Sequence, residues 1–329
     1  MTAFVRTCLM LALFAATAAT PAHAQDARDY PNRPIKVVVP FPAGGPTDTI
    51  ARLLAEQMTK TLGQPVVVEN VPGANGNIGV GRVARAAPDG HTLIIGHWST
   101  HVVNAAVYKL PYDVLTDFQP ISLLTSNDYV IVARATAPAT DLKSFIAWIK
   151  ANPDKLSEGT AGPGSPQHVG GVFFQNATQT SFQFIQYRGA APAMQDLLAG
   201  HIDLIIDDPT SSLPHVRAGK IKAFAVTAPK RMAAAPEIPT VDEAGLPGFY
   251  FSRWHALWAP KGTPPDVVAR LDAAVVAALA DPTVRARLAD LGQEPFPREQ
   301  QTPAALGAYH RAETEKWWPI IKKAGIKTE

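Results

Sequence analysis

The stretch IKVVVPFPAGGPTDTIARLL, Ile35 to Leu54, decides the fold. It opens on a short apolar run, Ile35 to Val39, of the kind found in strands covered on both faces. Parallel sheets produce such runs because helices shield both of their sides. A turn rich in glycine and proline follows, Pro40-Phe41-Pro42-Ala43-Gly44-Gly45-Pro46-Thr47-Asp48. Beyond it, Ile50, Leu53, Leu54, Met58 and Leu62 fall on one helical stripe, and Gly63 stands where a helix stops.

The same alternation runs outward from this unit. Val66 to Val68, Leu93 to Ile95 and Leu204 to Ile206 read as further strands. Leu142, Phe145, Ile146 and Ile149 repeat the helical period after Asp141, and Asn152-Pro153 ends it. Met194, Leu197 and Leu198 run into Gly200, while Val268, Leu271 and Val275 sit behind the start signal Thr263-Pro264-Pro265. The pattern predicts an α/β protein with mainly parallel sheets flanked by helices. No low-complexity linker marks a boundary, so the expected crossings between lobes, near Ser126-Asn127 and around Gly248 to Ser252, rest on topology. They give a discontinuous first lobe, residues 25–126 plus 250–329, and a second lobe, 127–249.

Residues 1–24 carry a different signal. Arg6 supplies a positive start, Leu9 to Ala19 an apolar stretch too short to span a bilayer, and Ala22-His23-Ala24 a small-x-small cleavage site before Gln25. This predicts a cleavable signal peptide and an exported, periplasmic chain. Cys8, the one cysteine, lies inside that segment, so the mature protein is expected to have no disulfide, thiolate metal site or thiol chemistry. The whole chain has 30 basic and 28 acidic residues. Arg6 is the one charge before Gln25, which leaves a net of +1 on the mature chain. That balance argues against a nucleic-acid partner.

Candidate binding residues cluster in turns at strand ends, where open α/β sheets hold their ligands. In the first turn, paired glycines let backbone approach a ligand, Thr47 or Asp48 can cap the helix, and the helix start suits an anion. A plain strand-to-helix turn uses the same residues. Neither a phosphate-binding Gly-Lys-Ser/Thr nor G-x-G-x-x-G is present, so no nucleotide cofactor is expected. A second turn, Gly162-Pro163-Gly164-Ser165-Pro166-Gln167-His168, pairs a cap, Ser165, with proline at the first helical position. It sets His168 one turn in, either facing a carboxylate or on the surface. Tyr187-Arg188-Gly189-Ala190-Ala191-Pro192 adds a cation and small residues, and Asp207-Asp208-Pro209 ends a strand with a ligand acceptor or a helix cap.

Several segments in order resemble the Bug family, the periplasmic receptors of tripartite tricarboxylate transporters. They are PFPAGGPTDTIAR (Pro40 to Arg52), VENVPGANGNIG (Val68 to Gly79), YKLPYDVLTDF (Tyr108 to Phe118), GPGSPQH, YRGAAPAMQDLLAGHID (Tyr187 to Asp203) and LPHVRAGKIKAFAVT (Leu213 to Thr227), with PEIPTVDEAG and LWAPKGTP. The resemblance implies a two-lobed periplasmic binding protein (Venus flytrap, type II), a small carboxylate ligand, the membrane subunits of a tripartite permease as partners, and a monomer without metal, cofactor or catalytic residues. Carried over residue by residue, it places the ligand against Phe41, Ala43, Gly44, Gly45, Thr47 and Asp48 and against His97, Trp98, Ser99 and Thr100. From the second lobe it adds Ser165, His168, Arg188, Gly189 and Asp207.

Departures from the family pattern bear on the ligand. His97 and Trp98 replace small residues, Arg253 a small polar one, and His255 an aromatic or neutral polar one. Facing the cleft, they would favour a second carboxylate or an aromatic ring; as packing residues they would do neither. A ligand sensor docking on a kinase needs the same closed form as a transport receptor. A hydrolase built from Ser165, His168 and an aspartate lacks the G-x-S-x-G elbow. His97 and His101, four apart, lack a clear third metal ligand.

Overall fold

The computed structural model describes residues 30–323; the expected signal peptide lies outside them. The chain begins with β1 (Ile35–Val39), α1 (Pro46–Leu62), β2 (Val66–Asn70), α2 (Asn77–Ala84), β3 (Thr92–His97), α3 (Asn104–Val107) and β4 (Phe118–Asp128). It continues through β5 (Val130–Arg134), α4 (Leu142–Ala151), β6 (Ser157–Thr160), α5 (Pro166–Thr178), β7 (Gln183–Gln186), α6 (Ala190–Ala199), β8 (Leu204–Asp207), α7 (Pro209–Arg217) and β9 (Ile221–Val226). It returns through β10 (Ser252–Pro260), α8 (Pro265–Ala280), α9 (Pro282–Asp290), β11 (Glu294–Pro295) and α10 (Pro303–Lys323).

The strands form a six-stranded sheet, β11-β4-β10-β3-β1-β2, and a five-stranded sheet, β7-β6-β8-β5-β9. Each carries one lobe of an α/β fold. Both sheets are mixed, where the apolar runs predict mainly parallel ones. β1 lies parallel between β2 and β3, and β6 parallel between β7 and β8. β10, by contrast, pairs antiparallel with β3 and β4, and β5 antiparallel with β8 and β9. The strands flanking the passage between sheets enter from the opposite end, so they oppose the strand-helix-strand units they join. Burial on both faces makes either orientation read as an unbroken apolar run, which is why patterning alone does not separate them.

The passage itself is short. β4 ends at Asp128 in the first sheet and β5 starts at Val130 in the second, with Tyr129 between them. The return runs from β9 to β10, and the two strands of chain are tied where they meet. Thr227 N donates to Tyr129 O (2.8 Å) and Phe251 N donates to Thr227 O (3.0 Å).

Local chemistry explains the elements that aim at the site. α1 buries Ile50, Leu54, Met58 and Leu62 and stops on Gly63 in the left-handed region, φ 70°. Asp141 starts α4 through a reciprocal capping box with Ser144, and Gly200 stops α6 at φ 78°. Gly79 in α2 is where helix and turn touch: a Cβ there would lie 2.8 Å from Val71 O and 3.0 Å from Pro40 Cα. Both obstacles are backbone, so they cannot swing aside. Gly79→Ala is expected to cost about 1–3 kcal/mol through overpacking, read as a lower urea midpoint with an unchanged m-value.

Candidate functional site

Three helices begin at one place. α1 has Gly45 as its N-cap, with no side chain to offer, and Pro46 behind it, with no N–H. The first intrahelical bond runs from Thr49 N to Gly45 O (3.0 Å), so the Thr47 and Asp48 N–H groups have no acceptor within the helix. α6 repeats the arrangement in the second lobe: Gly189 is the cap, it makes no side-chain bond, and the N–H groups of Ala190 and Ala191 open the helix before Pro192. α5 starts with Ser165 as cap and Pro166 next. Ser165 Oγ accepts from His168 N (3.3 Å), which leaves the Gln167 N–H.

These ends meet around one cavity. From the first lobe it is lined by Phe41, Gly45, Thr47, Asn75, His97 and Arg253. Ala161, Pro166, Gln167, Ala190 and Ala191 line it from the second. Each helix end carries roughly half a positive charge, and their alignment suits an anion. The lobes are shut on it. The cavity volume is about 20 Å³, room for little more than one water molecule, so an organic acid requires the lobes to part. Gly189 permits this closeness, since a Cβ there would lie 2.6 Å from Pro42 Cδ across the cleft.

Polar side chains complete the walls. Asn75 Nδ2 donates to Asn104 Oδ1 (2.8 Å), Ser99 Oγ (3.1 Å) and, across the lobes, Pro163 O (3.2 Å), while its buried Oδ1 has no partner. His97 stacks on Phe41, with centroids 4.8 Å apart. Its Nδ1 accepts from Ser99 N (3.1 Å), which puts the neutral ring's proton on Nε2. Burial, then the charges of Arg253 and His101, hold its pKa well below the usual histidine value. Arg253, 3% exposed, forms a buried ion pair with Asp208 of the other lobe, lies over the Tyr129 ring, and keeps Nε without a partner.

The other candidates occupy different roles. Gly45, not Thr47 or Asp48, caps α1. The Asp48 carboxylate accepts from Gly44 N (2.9 Å), Arg52 Nε (2.9 Å) and Asn70 Nδ2 (2.9 Å). Burial opposes ionisation there, but those hydrogen bonds prevail and lower its pKa. Ala43, Gly44 and Arg188 are exposed and off the cavity wall. Ser99 and Thr100 are fully buried behind His97, whose N–H donates to Thr100 Oγ1 (3.0 Å). His168 turns its Nδ1 to Gly164 N (3.0 Å). Asp207 is buried beside Gln167 Nε2 (3.4 Å), and burial, then the charge of Asp208, pushes its pKa up to about 7. Asp208 caps α7, accepting from Thr210 N (2.8 Å).

Trp98 faces away from the cavity. It packs edge-on against Phe251 and Trp317, at 5.6 and 4.9 Å, in the core. His255 stands one layer back, behind Thr47. His101 stacks on Trp258 at 3.7 Å. Among the described residues, no group of three or more His, Cys, Asp or Glu side chains is placed to hold a metal ion. Asn75, Gln167, Ala190 and Ala191 were not singled out from the sequence. Proline in the first turn does not single out the last three, because α7 and α8 also follow strands and carry it.

A two-lobed α/β scaffold with a polar cavity between its lobes defines a solute-binding protein of the periplasmic type. Comparison with known proteins places it more narrowly: residues 50–326 match the tripartite tricarboxylate transporter family receptor, and the chain belongs to that family. It is 41% identical over 304 residues to a UPF0065 protein of Agrobacterium vitis, covering 92% of this chain and 87% of that one. It is 34% identical to BugT of Bordetella pertussis, covering 97% of each. Among solved structures, the periplasmic binding protein BugD is 42% identical with a TM-score of 0.87, covering 91% of this chain and all of that one. MatC of Rhodopseudomonas palustris, solved with bound malate, is 41% identical with a TM-score of 0.85, covering 89% of this chain and all of that one.

Removing the Arg253 guanidinium leaves the Asp208 carboxylate buried without its counter-charge. Arg253→Ala is expected to lower unfolding free energy by about 3–5 kcal/mol in urea titrations, and adding Asp208→Asn to recover most of the loss.

Proposed function

We propose that this protein captures a small di- or tricarboxylate between its lobes and delivers it, in the closed form, to the membrane subunits of a tripartite permease. The convergence of three helix starts on one cavity carries the proposal. Thr47 and Asp48 offer N–H groups from the first lobe; Gln167, Ala190 and Ala191 offer them from the second. A carboxylate held by both sets joins the lobes, so binding and closure are one event. The amides are fixed by their helices before the ligand arrives, and little order is lost on binding.

The lobes in this reading are residues 25–126 plus 250–329 and residues 127–249, turning about the tied segments at Tyr129, Thr227 and Phe251. The Arg253 and His97 side chains line the wall, which supports an acid with a second charge. With Trp98 in the core, the stacking argument for an aromatic acid loses its main residue. The family and the signal-peptide pattern of residues 1–24 support a periplasmic location.

Differential scanning measurements with a panel of acids test the ligand class. At a hundredfold excess over Kd, one binding site adds about 2.7 kcal/mol to stability. At least one di- or tricarboxylate is expected to raise Tm by several degrees, and its amide analogue to leave Tm unchanged. A protein whose Tm answers to no acid contradicts the proposal.

A further inference from the structure

We infer that the Thr47 hydroxyl is held as a hydrogen-bond acceptor facing the cavity, so that the site selects 2-hydroxy carboxylates over the same acids without the hydroxyl. This rests on the carboxylate reading above and narrows it.

The direction of the Thr47 hydroxyl is set by a chain of side chains that begins in the other lobe. The Asp208 carboxylate faces donors alone, Arg253, Thr210 N and Gln293 Nε2, and accepts from each. Gln293 donates Nε2 to Asp208 Oδ1 (3.0 Å) and to Thr210 Oγ1 (2.7 Å), which fixes the amide with Oε1 on the opposite side. Oε1 needs a donor, and Thr125 Oγ1 supplies it at 3.1 Å. The single proton of Thr125 is then used, so at His255 Nδ1 (3.4 Å) the histidine donates and Thr125 accepts.

His255 is fully buried, and burial, then the charges of Arg253 and His97, hold its pKa well below the usual value. The ring is neutral, and with its proton on Nδ1 its Nε2 can only accept. Its partner there is Thr47 Oγ1, at 3.3 Å, which must donate. The Thr47 hydroxyl oxygen is left with lone pairs alone, on a residue lining the cavity and 3% exposed.

That acceptor stands among donors. The helix N–H groups, His97 Nε2 and Arg253 offer hydrogens to a carboxylate; Thr47 asks for one. A carboxylate with a hydroxyl on the adjacent carbon satisfies both within one small fragment. An ammonium in that position would also donate, but Arg253 and the positive helix ends repel a cation. An acid with plain CH2 there leaves the lone pairs of Thr47 Oγ1 buried without a donor, a penalty that sites built to bond a substrate hydroxyl use for discrimination. Gln293 and Thr210 lie in different lobes, so the chain is complete when the lobes meet.

Isothermal titration with matched pairs tests this: succinate against malate, and glutarate against 2-hydroxyglutarate, with aspartate as the cationic control. For the skeleton that fits, wild type is expected to bind the hydroxy acid about tenfold more tightly than its plain partner, with aspartate weaker than malate. Thr47→Val is expected to bring that ratio to within about twofold of one, whatever its absolute affinities; Thr47→Ser is expected to restore it. Thr125→Val, outside the cavity wall, is expected to lower the ratio as well and serves if Thr47→Val does not fold. Equal binding of both members by wild type, or an unchanged ratio in Thr47→Val, overturns the inference and leaves the carboxylate reading standing. No binding of any of these acids, with no other carboxylate bound either, overturns both.

Discussion

Unsatisfied backbone N–H groups at helix starts are the constraint from which the site follows. A helix leaves its first donors without partners, and proteins ordinarily meet them with a cap. Here α1 and α6 are capped by glycine, which has nothing to give, and proline removes a further donor nearby. What remains is a small set of N–H groups at helix starts that meet around one cavity from both sheets, an arrangement suited to an anion. The strands β1 and β7, each parallel to its neighbour, matter because they lead into those helix starts at the same end of their sheets, as open α/β folds do.

Closure rests on a second, costlier element. Arg253 and Asp208 lie on opposite sides of the cleft and are buried together, with Gln293 and Thr210 beside them. Buried pairs of this kind contribute little net stability, because desolvation offsets their attraction, but breaking one side is severe. They therefore specify how the lobes meet more than how tightly the protein folds. The same pair anchors the hydrogen-bond chain through Thr125 and His255 to Thr47, so the register of closure and the polarity of the cavity share one origin.

Much of this was legible in the sequence. The strand at Ile35 to Val39, the α1 stripe, the Gly63 and Gly200 stops and the Asp141 start follow from local periodicity and capping, which act over a few residues. The turn at Pro40 to Asp48 lines the interlobe cavity through Phe41, Pro42, Gly45, Pro46 and Thr47. Other features depend on what the chain meets after folding. Trp98 follows His97 directly, yet the end of β3 turns one ring to the cavity and the other to Phe251 and Trp317. Strand direction is hidden by two-sided burial, so the mixed pairing of β10 and β5 has no local signature. Asn75 and Gln293 carry no local signature; the first is placed by a left-handed backbone at φ 50° and the second by its partners in the other lobe.

The central claim is that amides from both lobes bind one carboxylate, and backbone amide shifts read it most directly. In 15N-labelled protein titrated with an acid that raises its Tm, the amide protons of Thr47, Asp48 or both, and of at least one of Gln167, Ala190 and Ala191, should move downfield together with a single saturation curve. Shifts confined to one lobe, or falling on residues away from these helix starts, would contradict the account.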